Sequence, residues 1–382
     1  EADRLEADGH RILKLNTGNP AVFGFEAPYQ IVRDMIESIP TSHGYSDSRG
    51  ILSARRAIVS RYEQVPGFPM FDPDDVYLGN GVSELITMTM QSLLDEGDEV
   101  LIPAPDYPLW TAMTSLAGGT PVHYVCDQED GWQPSLEDIR AKVTDRTKAI
   151  VVINPNNPTG AVYSREVLKG IVEIAREQGL LLLSDEIYDR ILFDGAEHIP
   201  LATLAPDLLC LTFNGLSKTY RVAGYRSGWL VITGPKKRAA GFLQGIQLLA
   251  STRLCPNVPG QHAVQAALSG VQSIDALIAP TGRLHEQRDA AWEGLVAIPG
   301  VQCHRPQGAL YAFPRLDPEV YEIHDDGRLV YDFLVAEHVL LVQGTGFNWP
   351  TPDHLRIVTL PEARVLSEAI ERLGNFLSSY RQ

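Results

Sequence analysis

From about residue 75 to 235, short apolar runs alternate with stretches of helical periodicity. Val76-Tyr77-Leu78, Glu99-Val100-Leu101-Ile102, Val122-His123-Tyr124-Val125, Ala149-Ile150-Val151-Val152-Ile153, Leu181-Leu182-Leu183, 209–213 and 229–232 read as strands. Most are near-continuously apolar, as strands buried on both faces are. The segments between them, such as 165–178, space their apolar residues as one helix face does. This combination predicts an α/β fold, a mostly parallel sheet with helices on both faces, in which ligands collect at the carboxyl ends of the strands. Beyond about residue 275, longer helical runs (274–298, 328–337 and 362–380) surround short strands near 310–313 and 355–358. That change of pattern predicts a smaller α+β domain.

A chain of 382 residues has room for one large and one small domain. Its formal charge of −16, with no basic stripe to offset it, argues against nucleic acid or an anionic membrane as partner. No apolar run reaches the roughly 18 residues of a membrane span. The first residues, Glu1-Ala2-Asp3-Arg4, show no leader pattern. Cys126, Cys210, Cys255 and Cys303 are too widely spaced for a CxxC motif, and the histidines lack metal-ligand spacing. The expectation is a cytoplasmic protein without a metal site.

Candidate chemistry gathers just after the predicted strands. Ser217-Lys218-Thr219 follows the run ending at Phe213, and Arg226 comes eight residues after the lysine. A lysine at the end of a buried strand can lose solvation, which lowers an amine's pKa and favours Schiff-base chemistry. An arginine nearby can hold a phosphate as a permanently charged fork. Together they suit an aldehyde cofactor bearing a phosphate, which is pyridoxal phosphate. Taken alone, Lys218 reads far more often as a solvated loop residue than as a catalyst. Five other features change its weight. Gly79-Asn80-Gly81-Val82-Ser83 opens a helix, whose N-terminus suits an anion. Tyr107 is either a stacking ring or an ordinary half-buried aromatic. Asn154-Pro155-Asn156-Asn157-Pro158-Thr159-Gly160 makes a stiff turn at a strand end. Asp185 closes a buried strand, where an acid needs a cationic or hydrogen-bonded partner such as a pyridinium N–H, and Tyr188 follows within a turn. Arg356, inside the apolar run 355–358, expects either a substrate carboxylate or an internal ion pair.

These motifs, with Leu15-Asn16-Thr17-Gly18-Asn19-Pro20 and Gly44-Tyr45-Ser46-Asp47-Ser48-Arg49-Gly50, occur in an order and spacing that resemble the class I (fold type I) pyridoxal-phosphate aminotransferases over essentially the whole chain. The resemblance is strongest to the bacterial alanine (glutamate–pyruvate) group. It implies a large cofactor domain at 41–275, a small domain at 276–382, and an N-terminal segment at 1–40 that joins the small domain and lids the site. It implies that Lys218 carries the cofactor as a Schiff base and moves the substrate proton. Arg226, Val82 and Ser83 would hold the phosphate, Tyr107 would stack on the ring, and Asp185 would pair with the ring nitrogen. Asn157 and Tyr188 would bond the ring's phenolic oxygen. Tyr45 would reach the phosphate of a second subunit, making a homodimer with shared active sites. Gly18, Asn157 and Arg356 would bind the α-carboxylate. The implied reaction is ping-pong exchange of an amino group between L-alanine and 2-oxoglutarate.

One position departs from the pattern: Gly215 stands where many relatives carry a phosphate-binding serine, leaving Ser217 or a water to substitute. Arg253 is open between the cation for glutamate's second carboxylate and a surface ion pair. Other α-amino-acid aminotransferases and a C–S β-lyase share the same core chemistry. A cofactor-sensing transcription regulator would need a basic helix-turn-helix that this acidic chain lacks.

Overall fold

The computed structural model describes all 382 residues. Its largest sheet has eight strands, in the order Val76–Asn80, Ser227–Thr233, Cys210–Gly215, Leu181–Asp185, Thr147–Ile153, Glu99–Ala104, Thr120–Asp127 and Gln133–Pro134. From Cys210–Gly215 through Thr120–Asp127 neighbours run parallel, and the pairings at both ends are antiparallel. Ser227–Thr233 runs back along Cys210–Gly215 because residues 216–226 contain no crossover helix, which a parallel return would require. That short connection carries Lys218.

Side chains alternate between two cores across this sheet. Along Thr147–Ile153, Ile150 and Val152 meet Leu168 and Ile171, whereas Ala149, Val151 and Ile153 meet Met88, Met90 and Trp110. Each buried Ile or Val side chain among these contributes about 1.5–3 kcal/mol. The α/β prediction is therefore borne out, including a sheet covered on both faces. The helix Arg165–Gln178 falls where its periodicity places it. Ser164 caps it by accepting from Val167 N, and Gly179 ends it at a φ of 68°.

The C-terminal part differs in detail from expectation. The run 274–298 is two helices, Ile274–Ile278 and Arg283–Val296. Pro280 lies between them; it has no N–H to donate and disfavours helical geometry in the residue before it. The expected strand at 310–313 is only Tyr311–Ala312, which pairs with the far end of Leu355–Val358 while Val342–Gln343 pairs with the near end. Leu13–Lys14 pairs with Val339–Leu340, so Leu13 and Leu15 enter the same core as Leu341 and Leu373. No helix is long and apolar enough to cross a membrane.

Candidate active site

At the carboxyl ends of the parallel strands lies a cavity of about 330 Å³. Gly18, Val82, Ser83, Tyr107, Asn157, Asp185, Tyr188, Lys218, Arg226 and Arg356 all line it, as does Ser217. Ten residues chosen from sequence thus meet at one place, although they come from every part of the chain.

Lys218 extends from the connection after Cys210–Gly215, and its Nζ donates to the Gly18 carbonyl at 2.7 Å. Asp185 is the last residue of its strand and only 3% exposed. Trp110 Nε1 donates to its Oδ2 at 3.1 Å, and Ile187 N to its Oδ1 at 3.3 Å. Burial outweighs both bonds and pushes the carboxyl up to about 6. Tyr107 is likewise raised by burial.

Arg356 is 8% exposed and has no carboxylate partner, so the ion-pair alternative does not hold. Its Nη1 donates to Asn157 Oδ1 at 3.2 Å, its Nη2 to the Asn16 carbonyl, and its Nε has no partner. The guanidinium lies between two rings, 4.6 Å from the Tyr311 centroid and 4.5 Å from that of Phe347. Phe347 is held from the large sheet: Asp106 N donates to its carbonyl at 3.0 Å, and Asn348 Nδ2 donates to Asp106 Oδ1 at 2.7 Å. Thr111 Oγ1 donates to Asp106 Oδ2 at 2.8 Å. Burial nevertheless pushes Asp106 up to about 7.

Arg226 adopts a left-handed backbone, φ 50°, and is anchored by the Ala223 and Asn80 carbonyls at 3.0 and 3.1 Å. It lies against the N-terminus of the helix Val82–Leu93, whose cap is Gly81 at φ 81°. A Cβ on Gly81 would collide with the Arg226 guanidinium, and one on Gly228 would lie 2.7 Å from Val82 N. Two glycines thus keep a cationic, N–H-rich end of the cavity open. Gly215 has its own reason. It faces Gly228 across the strands, and a Cβ there would lie 2.9 Å from the Ser227 carbonyl and 3.0 Å from Gly228 Cα.

Two other residues lie away from the cavity. Tyr45 is 82% exposed on the surface. Of the two readings left open for Arg253, the structure shows the ion pair, at a partly buried position. At 14% side-chain exposure Arg253 pairs with Glu84 and donates to the Ser48 carbonyl at 2.7 Å. Glu84 also accepts from Asn80 N at 2.8 Å, so Arg253 is spent on bracing the glycine turn.

Sequence reasoning assigned no role to Trp110, Tyr311, Asp106 or Phe347. Trp110 sits three residues after Tyr107 in a motif already singled out, which is the one signal that pointed to it. The other contacts form between distant segments and leave no local pattern.

The family model for aminotransferases of class I and II matches residues 10–373. An alanine aminotransferase of Mycobacterium tuberculosis H37Rv is 71% identical over 381 residues, covering 100% of this chain and 89% of that protein. The glutamate-pyruvate aminotransferase AlaA of Escherichia coli K12 is 59% identical over 382 residues, covering 100% and 94%. The crystal structure of an aminotransferase from Escherichia coli superposes with a TM-score of 0.98 at 59% identity, covering 100% of this chain and 94% of that one. With these matches spanning the sheet, the cavity and the C-terminal part alike, the chain belongs to the class I and II aminotransferases.

Proposed function

We propose that this aminotransferase exchanges an amino group between L-alanine and 2-oxoglutarate, giving pyruvate and L-glutamate reversibly, with pyridoxal phosphate as its cofactor. The names of the similar proteins support the substrate pair. One observation carries the reading: Lys218, a buried Asp185 and an unpaired, buried Arg356 share a single cavity.

The donor set suits the cofactor. The Gly81–Gly228 cradle beside Arg226 is open where a phosphate needs N–H donors, and the buried Asp185, which only the Lys218 charge reaches, forms no direct ion pair. When bound, pyridoxal phosphate supplies an aldehyde for linkage to lysine and a ring that accepts electrons. Arg226, Val82, Ser83 and Ser217 would hold the phosphate end. Tyr107 would stack on the ring, Asp185 would keep its nitrogen protonated, and Asn157 and Tyr188 would face its phenolic oxygen.

Arg356, with Asn157 and the Gly18 backbone, orients the substrate by its α-carboxylate. Lys218 lines the same cavity, and its Nζ would take the α-proton and later return it. Both half-reactions use this one site in turn, so kinetics are ping-pong. The exposed Tyr45 suits delivery of a phenol to the phosphate site of a second copy, making a homodimer the working unit.

Absorbance of the purified protein tests this reading. The band of lysine-bound cofactor should disappear on adding alanine, with pyruvate formed in equal amount, and return with 2-oxoglutarate. A protein without the band, or one that leaves alanine unchanged and instead releases a thiol, ammonia and pyruvate from a cysteine S-conjugate with no keto-acid acceptor, contradicts it.

A further inference from the structure

We infer that Tyr311 is a positioning residue joining the two halves of the site: its ring supports Arg356 and its hydroxyl supports Tyr188. This rests on the cofactor assignment proposed above. Tyr311 pairs with Val358, two residues beyond Arg356 in the adjacent strand, which sets its ring beside the guanidinium at 4.6 Å. Its hydroxyl lies 2.7 Å from the Tyr188 hydroxyl, with the two rings nearly perpendicular. The same hydroxyl occupies the space where a side chain on residue 18 would stand, next to the carbonyl that receives Lys218. One phenol therefore touches the carboxylate arginine, the tyrosine facing the cofactor and the segment that holds the catalytic lysine.

Two facing hydroxyls share one O–H···O bond, so only one of them keeps a proton to donate elsewhere. With Tyr311 donating to Tyr188, the Tyr188 proton points into the cavity, and the first bond polarises and strengthens the second. Burial raises Tyr188 well above the ordinary phenol value, which keeps it a donor. The titratable and charged groups facing it are Tyr311, Arg356 and Tyr107, with Asp185 and Lys218 lining the same cavity. A stronger bond from Tyr188 to the cofactor's phenolic oxygen disperses negative charge there. With the cofactor bound, the Lys218 nitrogen would then give up its proton at lower pH.

The test compares Tyr311→Phe and Tyr311→Leu as cofactor-loaded enzyme. Tyr311→Phe keeps the ring and loses the hydroxyl. The pH midpoint of the cofactor band should rise by about half a unit, with the KM for alanine within about twofold of wild type. Tyr311→Leu loses both, and should add a roughly tenfold rise in KM. In a Tyr188→Phe background, Tyr311→Phe should produce no further shift. A Tyr311→Phe midpoint equal to wild type, an unchanged KM in Tyr311→Leu, or additive shifts in the double variant overturn the inference. A wild-type protein lacking the band instead overturns the cofactor assignment itself.

Discussion

The indole Nε1 of Trp110 donates to Asp185 Oδ2 at 3.1 Å, inside a core where that carboxylate meets no cation. A hydrogen bond to a buried charged group is worth about 1.5–3 kcal/mol, so removing it should raise Asp185 by about one pH unit from its position near 6. In Trp110→Phe the ionised fraction at pH 6 then falls roughly fivefold, and at pH 8 hardly at all. Affinity for pyridoxal phosphate should follow the same pattern. Equal loss at both pH values, measured by equilibrium titration, shows that Trp110 only packs.

Asp185 and Asp106 are both raised above the ordinary 3.8, to about 6 and about 7. Stability from such groups is fully present below 3.8 and is lost as pH rises through their folded values. The melting temperature of cofactor-free protein should therefore climb as pH falls from about 8 to about 5. Asp194, lowered to about 2 by its bonds to Arg288, acts oppositely and withdraws stability below about 4. Asp106→Asn should flatten the upper part of this profile in thermal scans. An unchanged slope between about pH 6 and 8 contradicts the assignment to Asp106.

Arg356 has no ion-pair partner within the protein and lies between two aromatic rings. Replacing a buried, uncompensated charge by a long apolar side chain relieves desolvation. Arg356→Met should leave the unfolding midpoint of the free protein unchanged or higher, yet lower kcat/KM for alanine by about 3 kcal/mol, roughly 150-fold. A structural arginine would give the reverse: lost stability with kcat/KM little altered.

Gly215→Ser supplies the hydroxyl that the family resemblance implies for this position but places Cβ 2.9 Å from the Ser227 carbonyl. The backbone must shift to admit it, at a cost of about 1–3 kcal/mol. Denaturant unfolding should show that loss, with no gain in cofactor affinity. Tighter cofactor binding at unchanged stability contradicts the steric account.

Arg253→Met removes a half of the Glu84 pair and loosens the turn before Val82. It should destabilise the protein by about 1–3 kcal/mol, because Glu84 loses its partner. The ratio of KM for glutamate to that for alanine should stay constant. A selective rise for glutamate restores Arg253 as the second-carboxylate cation.

Much of the fold was legible because burial on both faces leaves a direct mark on a strand. Thr147–Ile153 and Leu181–Asp185 announce themselves as apolar runs, and Arg165–Gln178 carries both of its caps in sequence. Short C-terminal strands were legible only in part. Tyr311–Ala312 owes its extent to pairing with Leu355–Val358, not to its own composition. The break at Pro280 was readable from the residue itself, but the long periodic run around it masked the stop.

Which groups stand at strand ends could be read from the residues alone: Lys218, Asp185, Asn157, Tyr107 and the glycine turn before Val82. Periodicity and turn chemistry are local, so they survive in a linear reading. Which of these groups meet depends on the folded chain. Trp110 and Asp185 are 75 residues apart, Tyr188 and Tyr311 123, and Arg253 and Glu84 169. Strand order, register and packing set those distances, and they turned Arg253 into a brace, explained Gly215 by its neighbour Gly228, and brought Tyr311 between Arg356 and Tyr188.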